Sequence, residues 1–221
     1  MNKLSLKAQN VVPLSMLILF QCVIAYVLAT DNVEAFTQKL ISPSSSVLFL
    51  MGVLSSWFSF LLPVGIKNSM VFLRLDNVLP GHRFIQLCES DPRIDSDSLR
   101  TSIQDYLLLK ADQAKQNQYW YLKIYRPNVD EREVASAHKS YLLYRDASVV
   151  SAVFIVCLLA ASLFLPSVTE VLSAGFIVIM IVCFVGFLVA ANTAGKRFVT
   201  TTVAIYLAGI LERMPHETVK E

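Results

Sequence analysis

Four long stretches of the chain carry no charged residue. The first lies between Lys7 and Asp31, and its Val11–Ala29 part is mostly Val, Leu, Ile and Phe. The second covers Leu40–Ile66 and is apolar from Val47 onward. The third covers Ala147–Thr169 and the fourth Val171–Gly195. A helix needs about 20 apolar residues to cross roughly 30 Å of hydrocarbon. An ionised side chain at mid-bilayer costs several kcal/mol, so charge-free runs of this length signal spans. The pattern predicts an all-α membrane protein with four transmembrane helices, at 11–29, 47–66, 147–165 and 172–194. The first run starts behind a basic Met1–Lys7 segment, as a secretory signal would. Its apolar part exceeds an ordinary signal core and no clean A-x-A cleavage site follows, so it reads as a span.

Between the second and third spans lies a polar insertion, Lys67–Asp146, read as a mainly helical cytoplasmic unit. Lys67–Leu79 continues the second helix or forms a strand. Pro80-Gly81 and Asp91-Pro92 are turn signals. Ser96–Gln116 is expected as one helix, begun by the Asp/Ser cluster Asp95–Ser98 and keeping helical spacing through Leu99, Ile103, Tyr106 and Leu107. Tyr119–Tyr125 continues that helix or forms a short strand, and Arg126-Pro127 ends it. Asn128 with Glu131 three residues on makes a capping-box-like start for a helix running from Val129 into the third span. The fourth span likewise extends past Lys196 and Arg197, with Val199, Val203, Tyr206 and Ile210 at helical spacing, until Met214-Pro215. The division is therefore 1–66 a transmembrane hairpin, 67–146 the insertion, 147–195 a second hairpin, and 196–221 a cytoplasmic helix and tail.

Composition agrees with a membrane protein. Hydrophobic residues make up 55% of the chain and charged residues only 16%, against about 25% in a soluble domain. A net charge of +2 is too small to argue for direct nucleic-acid binding. Of 19 Lys and Arg, only Lys39 lies outside three places: before the first span, between the second and third, and after the fourth. The positive-inside rule then puts both termini and the insertion on the cytoplasmic side of the membrane. Within the insertion 12 Lys or Arg face 11 Asp or Glu, the balance of a folded surface rather than a basic tail.

Chemistry is sparse. No span holds an ionisable residue, which disfavours ion-coupled transport. Gln21 and Asn192 are the amides near the membrane. Small residues recur in the spans, Ser55, Ser56 and Ser59 in the second and Gly175, Gly186, Ala190 and Ala191 in the fourth, where helices approach closely within one chain or between copies. Cys22, Cys88, Cys157 and Cys183 lack ligand or disulfide spacing and read as apolar fillers. No nucleotide, metalloprotease or hydrolase motif is present. Asp91, Asp95 and Asp97 read as turn and cap residues before metal ligands. Arg83, Arg93, Arg126 and Arg145 read as ion-paired with Asp76, Asp91, Glu131 or Asp146 before ligand binders. His82 and His138 read as surface or capping residues, and Tyr119-Trp120-Tyr121 as core or partner surface. No catalytic, cofactor or metal site is assigned. A partner surface is read at His82, Arg83, Arg93, Tyr119, Trp120, Tyr121 and Arg126.

Leu79-Pro-Gly-His-Arg-Phe84, Asp91-Pro-Arg93, Tyr119-Trp-Tyr121 and Tyr144-Arg-Asp146 resemble motifs of uncharacterised bacterial inner-membrane proteins of similar size. The overall plan resembles the membrane subunit of Kiwa-type antiphage defence (KwaA). That resemblance implies a membrane sensor without enzyme activity that works with a separate cytoplasmic effector acting on DNA. The expected function is a non-enzymatic inner-membrane scaffold or sensor, homo-oligomeric, embedded in the lipid bilayer, that recruits a cytoplasmic protein. Two alternatives stand beside it: a pore-forming effector lined by Ser55, Ser59 and Asn192 that depolarises the membrane when triggered, and a membrane-surface enzyme using His82 and Arg83. N-terminal sequencing of the membrane-extracted protein is expected to find the first span still attached; a mature start near residue 30 would show a cleaved signal.

Overall fold

The structure, a computed structural model, describes residues 5–28, 43–169 and 172–213. Lys39, residues 170–171 of the hairpin between the last two runs, and the Met214-Pro215 stop lie outside them. Among the described residues every regular element is helical. The longer ones are α1 (Val11–Leu28), α2 (Pro43–Leu61), α3 (Val64–Phe72), α4 (Phe84–Glu89), α5 (Ser96–Ser102), α6 (Tyr106–Ala111), α7 (Gln113–Tyr119), α8 (Arg132–Ser162) and α9 (Ala174–Arg213). Two helices are long and apolar enough to cross a membrane, Arg132–Ser162 and Ala174–Glu212. The bent pair Leu50–Leu61 and Val64–Phe72 is long and apolar enough for a third if counted as one. The first apolar run forms α1, 18 residues long.

The chain divides into two compact units, residues 1–71 with 142–192, and residues 72–141 with 193–221. In the first unit α2 does not run on through Lys67. The chain turns by 103° between Leu61 and Val64. The cause is Pro63, which lacks an N–H and disfavours helical backbone at the residue before it. α3 then begins afresh. Ser55 and Ser59 form the buried face of α2, with Trp57, Phe60 and Leu61 exposed, so this small-residue face packs inside the chain. Phe154, Leu158, Val168, Phe176 and Met180 make an apolar core, with Cys22 and Met51 packed against it.

Polar groups inside this unit pair with one another. The Ser151 hydroxyl donates to Gln21 Oε1 at 2.6 Å. The Asn192 amide donates to the Val71 carbonyl at 3.1 Å. Arg145 donates to Asp146 Oδ1 from Nε at 3.0 Å and Nη2 at 2.9 Å. Lys67 Nζ lies 3.8 Å from the same oxygen, and its side chain is only 3% exposed. Charges removed from water in this way hold only with close partners. α3, after its bend, thus delivers a buried lysine to the start of the third apolar run.

The second unit has its own core: Phe84, Ile85, Cys88, Leu99, Ile103, Tyr106, Leu109, Trp120, Ile124 and Val134, with Phe198, Val199, Val203 and Leu207 of α9. The helix expected over Ser96–Gln116 breaks twice. Asp105 takes a left-handed conformation with φ of 55°, and Asp112 is extended. Asp112 instead caps α7, its carboxylate accepting from the Lys115 N–H at 3.0 Å. Short acidic side chains compete with the helix for backbone donors in this way. Tyr119–Tyr125 does continue a helix, but Trp120–Tyr125 is wound as a π-helix. Asn128 does not cap α8. Its amide donates to the Ile124 carbonyl at 2.7 Å, closing the π segment, and α8 starts at Arg132.

Gly195 on α9 sits where a Cβ would lie 2.7 Å from Phe72 Cζ and 3.1 Å from the Tyr141 ring. Gly186 on the same helix has nothing within 4 Å. A helical Gly→Ala exchange ordinarily gains up to about 1 kcal/mol, whereas overpacking costs about 1–3 kcal/mol. Gly195→Ala is therefore expected to lower the thermal unfolding midpoint in detergent and Gly186→Ala to leave it level or raise it.

Candidate functional site

The seven residues read from the sequence as a partner surface all fall in the second unit, where the later turns of α9 are the object the insertion wraps. Phe198 occupies an aromatic box. The Trp120 ring meets it edge-on at 5.3 Å and stacks on Tyr125 at 5.4 Å. The His138 ring stacks on Phe198 at 4.6 Å, and its Nδ1 is hydrogen-bonded to the Tyr125 hydroxyl at 3.0 Å. Tyr119 stacks on Phe84 at 6.3 Å. The π-helix does the positioning: its wider turn places Trp120, Ile124 and Tyr125 against the same partner helix. Such segments recur at functional sites.

Arg93 clamps the adjacent turns of α9. Its Nε donates to Asp91 Oδ1 at 3.0 Å and its Nη2 to Oδ2 at 2.7 Å. The same guanidinium donates to the Thr200 hydroxyl at 2.9 Å and reaches that of Thr201 at 3.4 Å. A bidentate fork of this kind fixes orientation as well as charge. Arg93, hydrogen-bonded first of all, holds the Asp91 carboxyl well below the usual carboxylate range. Asp95 accepts from the Ser98 N–H at 2.7 Å and caps α5. Glu89 accepts from Lys110 Nζ at 2.6 Å and the Tyr106 hydroxyl at 2.7 Å, which lowers its pKa.

The seven residues of the expected partner surface therefore separate. Trp120 is buried and Tyr119 half-buried in the core. Arg93 is tied to Asp91 and α9. Tyr121 is exposed beside Tyr125, and Arg126 is exposed. His82 caps its own turn, with Nδ1 3.2 Å from the Leu79 carbonyl oxygen. Burial lowers its pKa first, offset by that bond and helped by the Arg83 charge. Arg83 follows it, half-buried. The 3-10 turn Pro80–Arg83 that carries both packs tightly, because a Cβ on Gly81 would run into the Asn117 side chain and the Trp120 ring. The sequence reading missed Tyr125, His138 and Phe198 as one cluster. The available signal was helical spacing, since Val134 and His138 stand four apart on α8.

Burial raises the Cys88 thiol far above its ordinary value, and the four cysteines are unpaired thiols. Among the described residues no three His, Cys, Asp or Glu side chains come together as a metal site requires. The described residues define an all-helical membrane protein with a separate helical unit of its own core. Comparison with protein-family models, with curated proteins and with solved structures finds no match.

Two pH windows follow. His82 has a lowered pKa when folded, so its contribution is present above about pH 6.5 and is lost as pH falls below it. Asp91 and Glu89 are also lowered, and their contributions fade only below about pH 4. Stability followed by thermal unfolding is expected to drop less for His82→Gln than for wild type between about pH 7 and 5. Asp91→Asn is expected to flatten the lower window only.

Proposed function

We propose that this chain is a four-span bacterial inner-membrane protein with both termini and the central insertion in the cytoplasm. In this reading α1 and α2 are the first two spans, and the apolar parts of α8 and α9 are the third and fourth. It acts as a non-enzymatic scaffold or sensor whose bundle self-associates and whose second unit recruits a cytoplasmic protein. The observation that carries the reading is helix continuity. α8 and α9 each run unbroken through both units, 31 and 40 residues long. A 40-residue helix is about 60 Å long, twice a bilayer's hydrocarbon. Residues that build the second core, Val134 on α8 and Phe198 and Val203 on α9, therefore lie on the same helices as residues of the first unit. Exposed Tyr121 and Arg126 are the partner-facing residues in this reading. A link to antiphage defence rests on the resemblance of plan alone, and an adjacent nuclease-like or DNA-binding gene would support it.

Hydrogen exchange tests the coupling. Dissipating the membrane potential or thinning the bilayer in vesicles is expected to change protection at 198–207, and a three-glycine insertion between Asn192 and Thr193 to abolish that response. Unchanged protection under every perturbation sinks the sensor. Purification that returns only monomer, with no bound protein under any condition, sinks the scaffold.

A pore-forming effector is the second reading. It is favoured by the polar seam of Gln21, Ser148 and Ser151, buried inside an apolar unit, where Gln21 Nε2 has no partner. A potential-sensitive dye separates the two: depolarisation on triggered expression, lost in Gln21→Leu, is the pore's expected result.

A further inference from the structure

The loop that opens the second unit is anchored at both ends and bare in the middle. At its start Phe72 is buried and packs on Tyr141, ring centroids 5.9 Å apart. At its end the Pro80–Arg83 turn is seated against Asn117 and Trp120. Between them Leu73 is 77% and Leu75 90% exposed, one on each side of Arg74. Leu73 and Asn77 both have positive φ, 51° and 47°. A leucine in that region is strained, and strain persists where the surrounding structure imposes it. Here it accompanies an apolar side chain held out of the core.

The charge beside these leucines is unanswered. Other cations here are paired, Lys67 and Arg145 with Asp146, Arg93 with Asp91, Lys110 with Glu89 and Lys115 with Asp112. Among the described residues neither Arg74 nor Arg83 has an ion-pair partner. Arg83 Nε is buried without an acceptor. Burial, and then the neighbouring Arg74 charge, lowers the Arg83 pKa. Two guanidiniums that repel each other, one with an orphaned donor, call for an anion with several acceptor oxygens. Exposed leucines beside cations are the composition of segments that sit in the headgroup layer. Val71, the last residue of the apolar unit, is three residues from Arg74 along the chain, a reach of at most about 11 Å.

We propose that Arg74 and Arg83, with Leu73 and Leu75, form a binding site for an anionic phospholipid of the adjoining leaflet. The guanidiniums take the phosphate and the leucines enter the acyl boundary. The inference rests on the membrane reading of the first unit, though not on partner recruitment.

The test uses the full chain in nanodiscs of phosphatidylcholine alone or with phosphatidylglycerol. Anionic lipid is expected to slow hydrogen exchange over residues 72–83, with phosphatidylglycerol retained on the protein in native mass spectrometry. Retention is expected to fall about fivefold for each of Arg74→Gln and Arg83→Gln, to fall for the Leu73→Ser, Leu75→Ser pair, and to be unchanged in Arg126→Gln. Equal exchange in both discs overturns the site in the wild-type chain, whatever the variants do. Inorganic phosphate protecting the loop equally in neutral discs overturns the lipid as occupant. A chain that does not enter the disc fails the membrane reading, whereas one that enters and shows no lipid effect fails only this inference.

Discussion

Hydrocarbon offers a polar group no partner, so every donor, acceptor and charge placed there must be answered by the protein itself. The apolar unit meets that constraint at most of its polar groups, with Gln21 Nε2 an exception. Its runs carry no ionisable side chain, and the amides they do carry reach across the unit: Gln21 to Ser151, Asn192 to the Val71 carbonyl. Where charge begins, at Arg145 and Asp146, it is paired and joined by Lys67. The bend at Pro63 belongs to the same account. It turns α3 away from the line of α2, and the turned helix carries the lysine.

The second unit is held by a different interaction. Its helices are short, and isolated helices of six or seven residues have little stability of their own. What orders them is the last third of α9, a long helix that presents Phe198, Val199, Val203 and Leu207 to the insertion. The aromatic box around Phe198 and the Arg93 clamp on Thr200 bind two different stretches of the insertion to that one rod. The insertion is thus a domain completed by the C-terminal helix, which explains why its core cannot be found within residues 67–146 alone.

Functional chemistry follows from what each unit leaves over. The core consumes Trp120 and much of Tyr119, and ion pairing consumes Arg93 and Arg145. Tyr121 and Arg126 stay on the surface, and Arg74 and Arg83 stay unpaired among the described residues. The surplus is apolar and cationic side chains, suited to binding a partner or a lipid.

The sequence by itself determined that the protein is helical and apolar enough for a membrane, because a charge-free run of about 20 residues has few other uses. It also determined the long extension of α9, the cap at Asp95 and the Asp91–Arg93 turn, all of which are local in the chain. Only the tertiary structure decided the rest. One expected helix became three, with Asp105 turned into the left-handed region and the Asp112 carboxylate capping the next helix instead of continuing the last. His138 looked like a surface residue until Phe198, 60 positions on, closed a box around it. The run Leu40–Ile66 does not show that a bend at Pro63 brings Lys67 to Asp146. Spacing along a chain reveals which residues share a helix face, whereas the partner of that face comes from elsewhere in the sequence, and only packing selects it.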